Sequence, residues 1–437
     1  ETLFDVIVFD EASQCRLEEA LPVLLRGKRV VIAGDPKQLP PTRFFESAVG
    51  DSEYADAESL EELQEQQISE TEDLLSAALN LDLQACYLDV HYRSQSEALI
   101  GFSNEAFYQS RLQPIPGHPK RRPKQSPLKV YRVDGTYQDR SNPAEAEEVS
   151  DLVVKLLDQK KTPSIGIACF NLNQRDLIIR SLEKRATADR EFSRRLEEAR
   201  NRQGKGSFEG LFVKNLENVQ GDERDHIIIS TTFGTASDGK FRRHFGALSR
   251  YGGERRLNVL VTRAREMIHV FTSIPREEYV GDVETDEPVN MTGRQYLYRF
   301  LRFAETVESE FQISLESEGG YSNQTEPASD GLASSSVSIF ASRLSSSGEI
   351  YAESPWGNEG FCVDVAMREP DPGREVSLGV FLDFNRYRKT PDPIKWEHFR
   401  SAILKQQGWD IRRVWSPELF RKDGEVVADL IKAHQAR

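Results

Sequence analysis

Along this chain, apolar runs without alternation give way to clusters of polar residues. The first run ends in FDEASQ, Phe9 to Gln14, and the second in GDPKQLPPT, Gly34 to Thr42. Such runs predict strands buried on both faces of a parallel sheet. A second α/β unit is expected to start near Cys86, where ACYLDVHYRS runs apolar into Tyr92 and Arg93. An amphipathic helix is predicted from Glu97 to Tyr108, with Leu99, Ile100, Phe102 and Phe107 at near-helical spacing. Then come a strand at Leu128–Gly135, a helix at Ala144–Gln159 opened by Asn142-Pro143, and a buried strand at Ser164–Phe170. A helix starts at Asn173. Leu211–Phe233 reads strand, turn, strand, and Arg255–Ser273 reads helix, then strand. Strands and helices alternating at this length imply a parallel sheet with right-handed crossovers.

Other stretches lack this pattern. Residues 51–85 read as an exposed helical insertion or lid with an acidic first half, and charged residues 186–205 as an inserted helix without a core stripe. From Glu308 to Ser347 the composition turns Ser-rich, which predicts a linker. Within it, Val337 to Leu344 reads as a short helix of the next domain. GFCVDVAM (Gly360 to Met367) and LGVFLDFNRY (Leu378 to Tyr387) predict strands, Trp396–Trp409 an amphipathic helix, and Asp410–Ser416 a last strand. The expected division is 1–85, 86–307, a linker at 308–335, and 336–437.

A chain of 437 residues suits two to three domains. Its net charge of −14 argues against a nucleic-acid binder when taken alone. The distribution qualifies that: Asp51 to Asp73 holds ten acidic residues and no basic one, while basic residues cluster at Lys120–Lys124, Arg175–Lys205, Arg242-Arg243 and Arg255-Arg256. Those stripes are either solvated helix faces or a track for a phosphate backbone. Cys15, Cys86, Cys169 and Cys362 lack C-x-x-C spacing and read as thiols of a reducing compartment. No apolar stretch approaches the ~20 residues of a membrane span, and no signal peptide is visible; a cytoplasmic location with no membrane partner is expected.

The chemistry gathers at the strand ends, where open α/β sheets place it. Of Asp10 and Glu11, one can hold Mg²⁺ through its water shell and the other can orient a water for attack on a phosphate. Such a site needs a phosphate-cradling loop, G-x-x-x-x-G-K-[ST], upstream of the acidic pair. Nine residues precede Asp10, and the first is not Met. The sequence is therefore expected to be the C-terminal part of a longer protein. Gly204-Lys205-Gly206-Ser207 has the wrong spacing and reads as a surface loop.

FDEASQ, GDPKQLPPT, HYRSQ, VQGDERD and LNVLVTRAR stand in that order. The ordered set resembles the motor of superfamily 1 helicases, in the branch of the nonsense-mediated-decay and Okazaki-fragment-processing helicases. The resemblance implies an α/β fold with two RecA-like parallel-sheet domains, the first incomplete. It makes Asp10 the Mg²⁺ ligand, Glu11 the catalytic carboxylate, and Gln38 the sensor of the γ-phosphate. Arg93 and Arg263 would reach that phosphate from the second domain, a task guanidinium suits. Gln220 and Gly221 would couple the site to the strand, and Glu223 would bind the ribose. Arg265 is a phosphate contact or a surface ion pair. ATP and Mg²⁺ are the implied cofactors, and single-stranded nucleic acid the partner, moved 5′ to 3′. The C-terminal domain tips the choice to DNA. His91, His226 and His269 read as packing residues.

Residues 336–437 resemble the very-short-patch-repair-like branch of PD-(D/E)XK nucleases, a small restriction-endonuclease-like α/β domain. The string Gly408 to Ser416 matches, and Asp364 and Asp383 are the implied metal ligands. Three positions depart: Phe381 replaces an acidic residue, Phe384 a glycine and Arg388 a histidine. No acidic residue is apparent in the preceding helix. Too few hard oxygen ligands remain for a metal, so the fold is expected to survive with its active site degraded.

The expected function is an ATP-dependent helicase or translocase in DNA processing or defence against phage. An active helicase–nuclease, an RNA helicase and a non-catalytic DNA-binding or interaction fragment are the alternatives, and protein partners or a homo-oligomer stay open.

Overall fold

The computed structural model describes residues 3–41, 73–81, 83–115, 125–204, 208–250, 252–280, 291–316, 331–354, 356, 363–368, 376–383 and 394–435. The acidic stretch before Asp73, the basic string at Lys120–Lys124, Cys362, Phe384 and Arg388 lie outside these residues.

In the first unit, β1 (Ile7–Phe9), α1 (Leu17–Leu24), β2 (Val30–Ile32) and α2 (Leu74–Leu79) follow in order. β1 and β2 pair in parallel, Val8 opposite Val31. Both were expected to be buried on both faces, and only one face is: Ile7 is buried and Phe9 and Ile32 pack on a small core, while Val8 is 65% and Val31 51% exposed. Among the described residues this sheet has two strands, and the residues that pack on it, from α1 and α2, lie on one face. Ala12, Ala20, Leu74 and Leu75 make its small core. Asp73, which caps α2 by accepting from Ser76 N–H, fixes where that helix begins.

Before the second unit's main sheet stand β3 (Val90–His91), α3 (Ala98–Tyr108) and β4 (Gln113–Pro114). The sheet and its helices follow in chain order as β5 (Leu128–Arg132), α4 (Pro143–Leu157), β6 (Ile165–Cys169), α5 (Leu172–Ala188), α6 (Arg190–Arg200), β7 (Phe212–Asn215), β8 (Arg224–Gly234), α7 (Gly253–Val261), β9 (Ala264–Ser273), α8 (Glu277–Val280) and α9 (Gly293–Glu316). The strands form one sheet of order β5-β9-β8-β6-β7, every pair parallel. β8 shows how an unbroken apolar run serves two faces. Ile227 and Ile229 enter the core beneath α3, α7 and α9, while Ile228 enters the core beneath α4, α5 and α6. This is the RecA-like arrangement of helices on both faces of a parallel sheet.

α6 departs from the expectation of a helix without a core stripe. Phe192 and Leu196, one turn apart, are buried against Ile178 and Leu182. Its arginines, read from sequence as either a solvated face or a basic track, are tied to carboxylates: Arg194 to Glu191 and Glu198, Arg195 to Asp158, and Arg200 to Glu183. Of the linker expected at 308–335, residues 308–316 belong to α9, with Phe311 buried, and residues 331–335 to the next helix, which starts at Gly331; residues 317–330 lie outside the described residues.

The last unit comprises α10 (Gly331–Ser345), β10 (Tyr351–Glu353), β11 (Val365–Arg368), β12 (Val376–Leu382), a π-helical turn at Ile394–Arg400, α11 (Ser401–Gln406), β13 (Ile411–Val414) and α12 (Ser416–Gln435). Its four-stranded sheet runs β10-β11-β12-β13, with the last pair parallel. Alternation along β12 divides the unit: Leu378, Val380 and Leu382 face one apolar core, and Phe381 another.

Candidate active site

Glu11 stands between β1 and a 3-10 turn at Ala12–Gln14 with φ 52° and ψ 40°. That left-handed conformation costs a side-chain-bearing residue roughly 1–2 kcal/mol, so the surrounding structure must hold it. Ala12, fully buried, provides the hold, its N–H donating to Ala33 O at 2.9 Å. Asp10 and Glu11 are both exposed. Asp10 Oδ1 accepts from Glu11 N–H at 2.9 Å, its one bond among the described residues. A solvent-facing carboxylate with an oxygen to spare fits Mg²⁺, which takes hard oxygens and keeps several waters.

The loop after β2 carries the second part. Asp35 accepts from Lys37 N–H (2.8 Å), Gln38 Nε2 (3.0 Å) and the Tyr108 hydroxyl (2.6 Å). Asn258 Nδ2 donates to the Tyr108 oxygen at 2.8 Å and to Lys37 O at 2.9 Å. Leu39, beside Gln38, is 5% exposed and belongs to the core of the second unit. Burial, followed by the Asp35 charge, pushes the Tyr108 phenol up, so it stays a neutral donor. The loop is thus pinned to α3 and α7.

This docking brings the two units' polar residues into contact. Gln220 Nε2 donates to Glu11 Oε2 at 3.3 Å and to Gln38 Oε1 at 3.4 Å. The following Gly221 has φ 82°, which lets the chain turn between Gln220 and β8. Arg93 Nε donates to Glu223 Oε2 at 2.6 Å. Arg263 is 3% exposed; its Nε donates to Val259 O (2.7 Å) and its Nη2 to Thr262 Oγ1 (2.9 Å). Burial and then the Arg93 cation push its guanidinium down to about 10, while Glu11 opposes them. The same two arginines, after burial, hold the His91 ring neutral, at about 3.

Glu11, Gln38, Gln220, Arg93, Glu223 and Arg263 therefore share one locality. Arg265 reaches the edge of this group, its Nη1 3.9 Å from Glu223 Oε1, but not as a free cation. Its Nη1 donates to Glu209 Oε1 (2.8 Å), and its Nη2 to Ser164 Oγ (3.0 Å) and, as an ion pair, to Asp225 Oδ1 (2.9 Å). The partly buried carboxylates of Glu209 and Asp225, with Glu223 at longer range, make it an internal ion-pair partner. Tyr108, Asn258 and Leu39 escaped the sequence reading. Asn258 left a signal, as a polar residue amid the apolar positions of α7, where it is fully buried.

In the last unit, Asp364 and Asp383 are held by backbone amides. Asp364, 3% exposed, accepts from Leu382 N–H at 2.9 Å. Asp383 accepts from Ser416 N–H at 2.7 Å and from the Ser416 hydroxyl, at the start of α12. Phe381 is buried in an apolar cluster. Among the described residues no three His, Cys, Asp or Glu side chains converge to hold a metal. Each of these carboxylates thus helps to hold the fold through one of its oxygens, Asp364 through Oδ2 and Asp383 through Oδ1.

Residues 1–46 and 66–274 each match a family model described as AAA domain, and residues 340–433 match one named REase_MTES_1575. The chain is similar to "Uncharacterized ATP-dependent helicase MG140" of Mycoplasma genitalium, 37% identical over 70% of this chain and 26% of that protein. It is similar to the homolog of that helicase in Mycoplasma pneumoniae, 30% identical over 98% of this chain and 36% of that protein. Helicase sen1 of Schizosaccharomyces pombe is 26% identical over 77% of this chain and 18% of that protein. The chain thus spans a minor part of the length of the curated relatives it matches. No helix among the described residues is long and apolar enough to cross a membrane.

Proposed function

We propose that this chain is the two-lobed motor of a superfamily 1 helicase that hydrolyses ATP between its RecA-like units and moves along single-stranded DNA, 5′ to 3′. The observation that supports this most is the bridge from Gln220 to both Glu11 and Gln38, which joins an acidic strand end of one unit to a glutamine of the other. Asp10 would hold Mg²⁺, which supplies charge neutralisation at the phosphates. Glu11 would orient the attacking water, and Gln38 would sense the γ-phosphate. Arg93 and Arg263 would bring positive charge from the opposite lobe, a contribution worth 10³-fold or more in comparable sites, on the order of 4 kcal/mol. Arg93 can swing from Glu223, leaving that carboxylate to the ribose, whereas Arg263 must leave the end of α7. Gln220, a residue of the second lobe bonded to Glu11 and Gln38 of the first, would relay closure to the strand across them.

No G-x-x-x-x-G-K-[ST] string occurs in the 437 residues, so the reading requires a phosphate cradle supplied from outside them. The restriction-endonuclease-like unit favours DNA, and its buried Phe381, where the resemblance expects a metal-binding acid, favours a role in holding strand or partner without cleavage. Service in DNA processing or phage defence in the cytoplasm fits that combination. The test is ATP hydrolysis by the protein with its phosphate loop, with and without single-stranded DNA or RNA. Stimulation by DNA is expected; stimulation by RNA alone moves the assignment to RNA, and hydrolysis indifferent to either ends the motor reading.

A further inference from the structure

The segment carrying Arg93 is gripped from two sides. Downstream, Ser94 Oγ donates to Ala264 O (3.3 Å), Gln95 N–H to Arg265 O (2.8 Å) and Gln95 Nε2 to Glu266 Oε1 (3.1 Å), all at the start of β9. Upstream, β3 pairs with β4, Val90 opposite Gln113, and Gln113 N–H donates to Asp89 O at 2.6 Å. Ile115, directly after β4, is 3% exposed, and the buried apolar cluster it joins belongs to the C-terminal unit: Trp356, Phe381, Leu404 and Trp409 among others. Val90 packs on the same cluster. Gln407 Nε2 donates to Tyr92 O at 3.4 Å, one residue before Arg93.

A strand pair of two residues each is too short to hold itself. Its position is set by what packs on it, and here that is the C-terminal unit. We infer that this unit is a positioning element of the motor. Through Ile115, Val90 and Gln407 it fixes β3, and thereby the height at which Arg93 meets the cleft. Phe381 shares in this: at a position where the resemblance expects a metal-binding acid, the chain has an apolar residue in the docking cluster. Ile115 and Gln407 are positioning residues, acting through Arg93 and touching no substrate.

The inference rests on the proposed ATPase, and its test separates the two. Ile115→Ala and Gln407→Ala are made in the protein with its phosphate loop, alongside Ile115→Val and Arg93→Ala. DNA-stimulated kcat should fall about tenfold or more in Ile115→Ala and less in Gln407→Ala, with KM for ATP within about twofold of wild type, since a displacement of about 1 Å in a catalytic group can cost up to 10² in rate. Ile115→Val should recover most of the loss. In the Arg93→Ala background, Ile115→Ala should add nothing, which a general loss of folding would not reproduce. A kcat equal to wild type in Ile115→Ala, together with faster amide exchange at residues 90–95, overturns the inference while leaving the ATPase intact. An additive loss in the double variant overturns it as well. A wild-type protein without ATPase removes the reading on which it stands.

Discussion

Gln220 Nε2 lies 3.3 Å from Glu11 Oε2, a hydrogen bond between residues 209 positions apart that closes the gap between two α/β units. The carboxylate that would activate water is thus already in touch with the opposite lobe. Glu11→Gln keeps the shape and a partner for Gln220 but removes the negative charge. Turnover should fall by at least 10², the usual scale for a general base, with ATP binding preserved. Single-turnover hydrolysis and nucleotide titration in the protein with its phosphate loop check this; near-normal turnover would remove Glu11 from its role.

Arg93 and Arg263 should separate by what else each does. The Arg93–Glu223 pair is partly exposed, with side chains 31% and 43% accessible, and such pairs contribute only about 0–1 kcal/mol. Arg93→Ala should therefore cut hydrolysis by about 10³ with little change in stability. Arg263 is buried and bonded to the end of α7, so Arg263→Ala should cut hydrolysis and also lower stability by about 1–3 kcal/mol. Denaturant unfolding beside steady-state kinetics reads both; a pure binding defect in either variant would contradict its assignment.

Mg²⁺-dependent cleavage of DNA should be absent, because Phe381 offers no oxygen where the resemblance expects a metal-binding acid, and among the described residues no three His, Cys, Asp or Glu side chains converge. Asp383→Ala removes acceptors at the start of α12 and should cost the last unit about 1–2 kcal/mol. Asp364→Ala leaves the Leu382 N–H buried and unpaired, at a cost of about 1–3 kcal/mol. Phe381→Glu would set a charge in an apolar cluster and should unfold the unit rather than restore a metal site. Nuclease assays and thermal unfolding decide; cleavage lost in the aspartate variants would reverse the assignment.

Acid should weaken the fold. His226 Nδ1 and His269 Nε2 are 3.0 Å apart on β8 and β9, and burial pushes the rings from 6.5 to about 4 and about 3. With His91, held at about 3, these rings stay neutral in the fold and bind protons only on unfolding. Their contribution is complete above pH 6.5 and is lost as pH falls toward 4 and then 3. Glu145 acts oppositely: burial pushes it up to about 7 against donors from Ser230, Thr232 and Ser273, so its contribution is complete below pH 4.5 and lost as pH rises through 7. Three groups outweigh one between pH 6.5 and 4.5, with a slope on the order of 1–3 kcal/mol per pH unit. The melting temperature should therefore drop from pH 7 to pH 5; a flat or rising profile would mean the rings are charged in the fold.

Much of this was legible in the chain. Unbroken apolar runs such as Ile227–Ile229 specify a strand covered on both faces, and Asn142-Pro143 sets the start of α4, because burial period and capping are local properties. The motif strings likewise placed Asp10, Glu11 and Gln38 at strand ends. Contacts over long sequence separations were decided only by the tertiary structure. Arg265 carries the same charge as Arg93, yet the folding of Glu209, Asp225 and Ser164 around it makes it an internal ion pair. Phe192 and Leu196 form a core stripe because Ile178 and Leu182 lie opposite them, and Ile115 is buried because the C-terminal unit packs on it. A sequence records a side chain's chemistry and its local period; which neighbours neutralise or cover it depends on segments that meet only after folding.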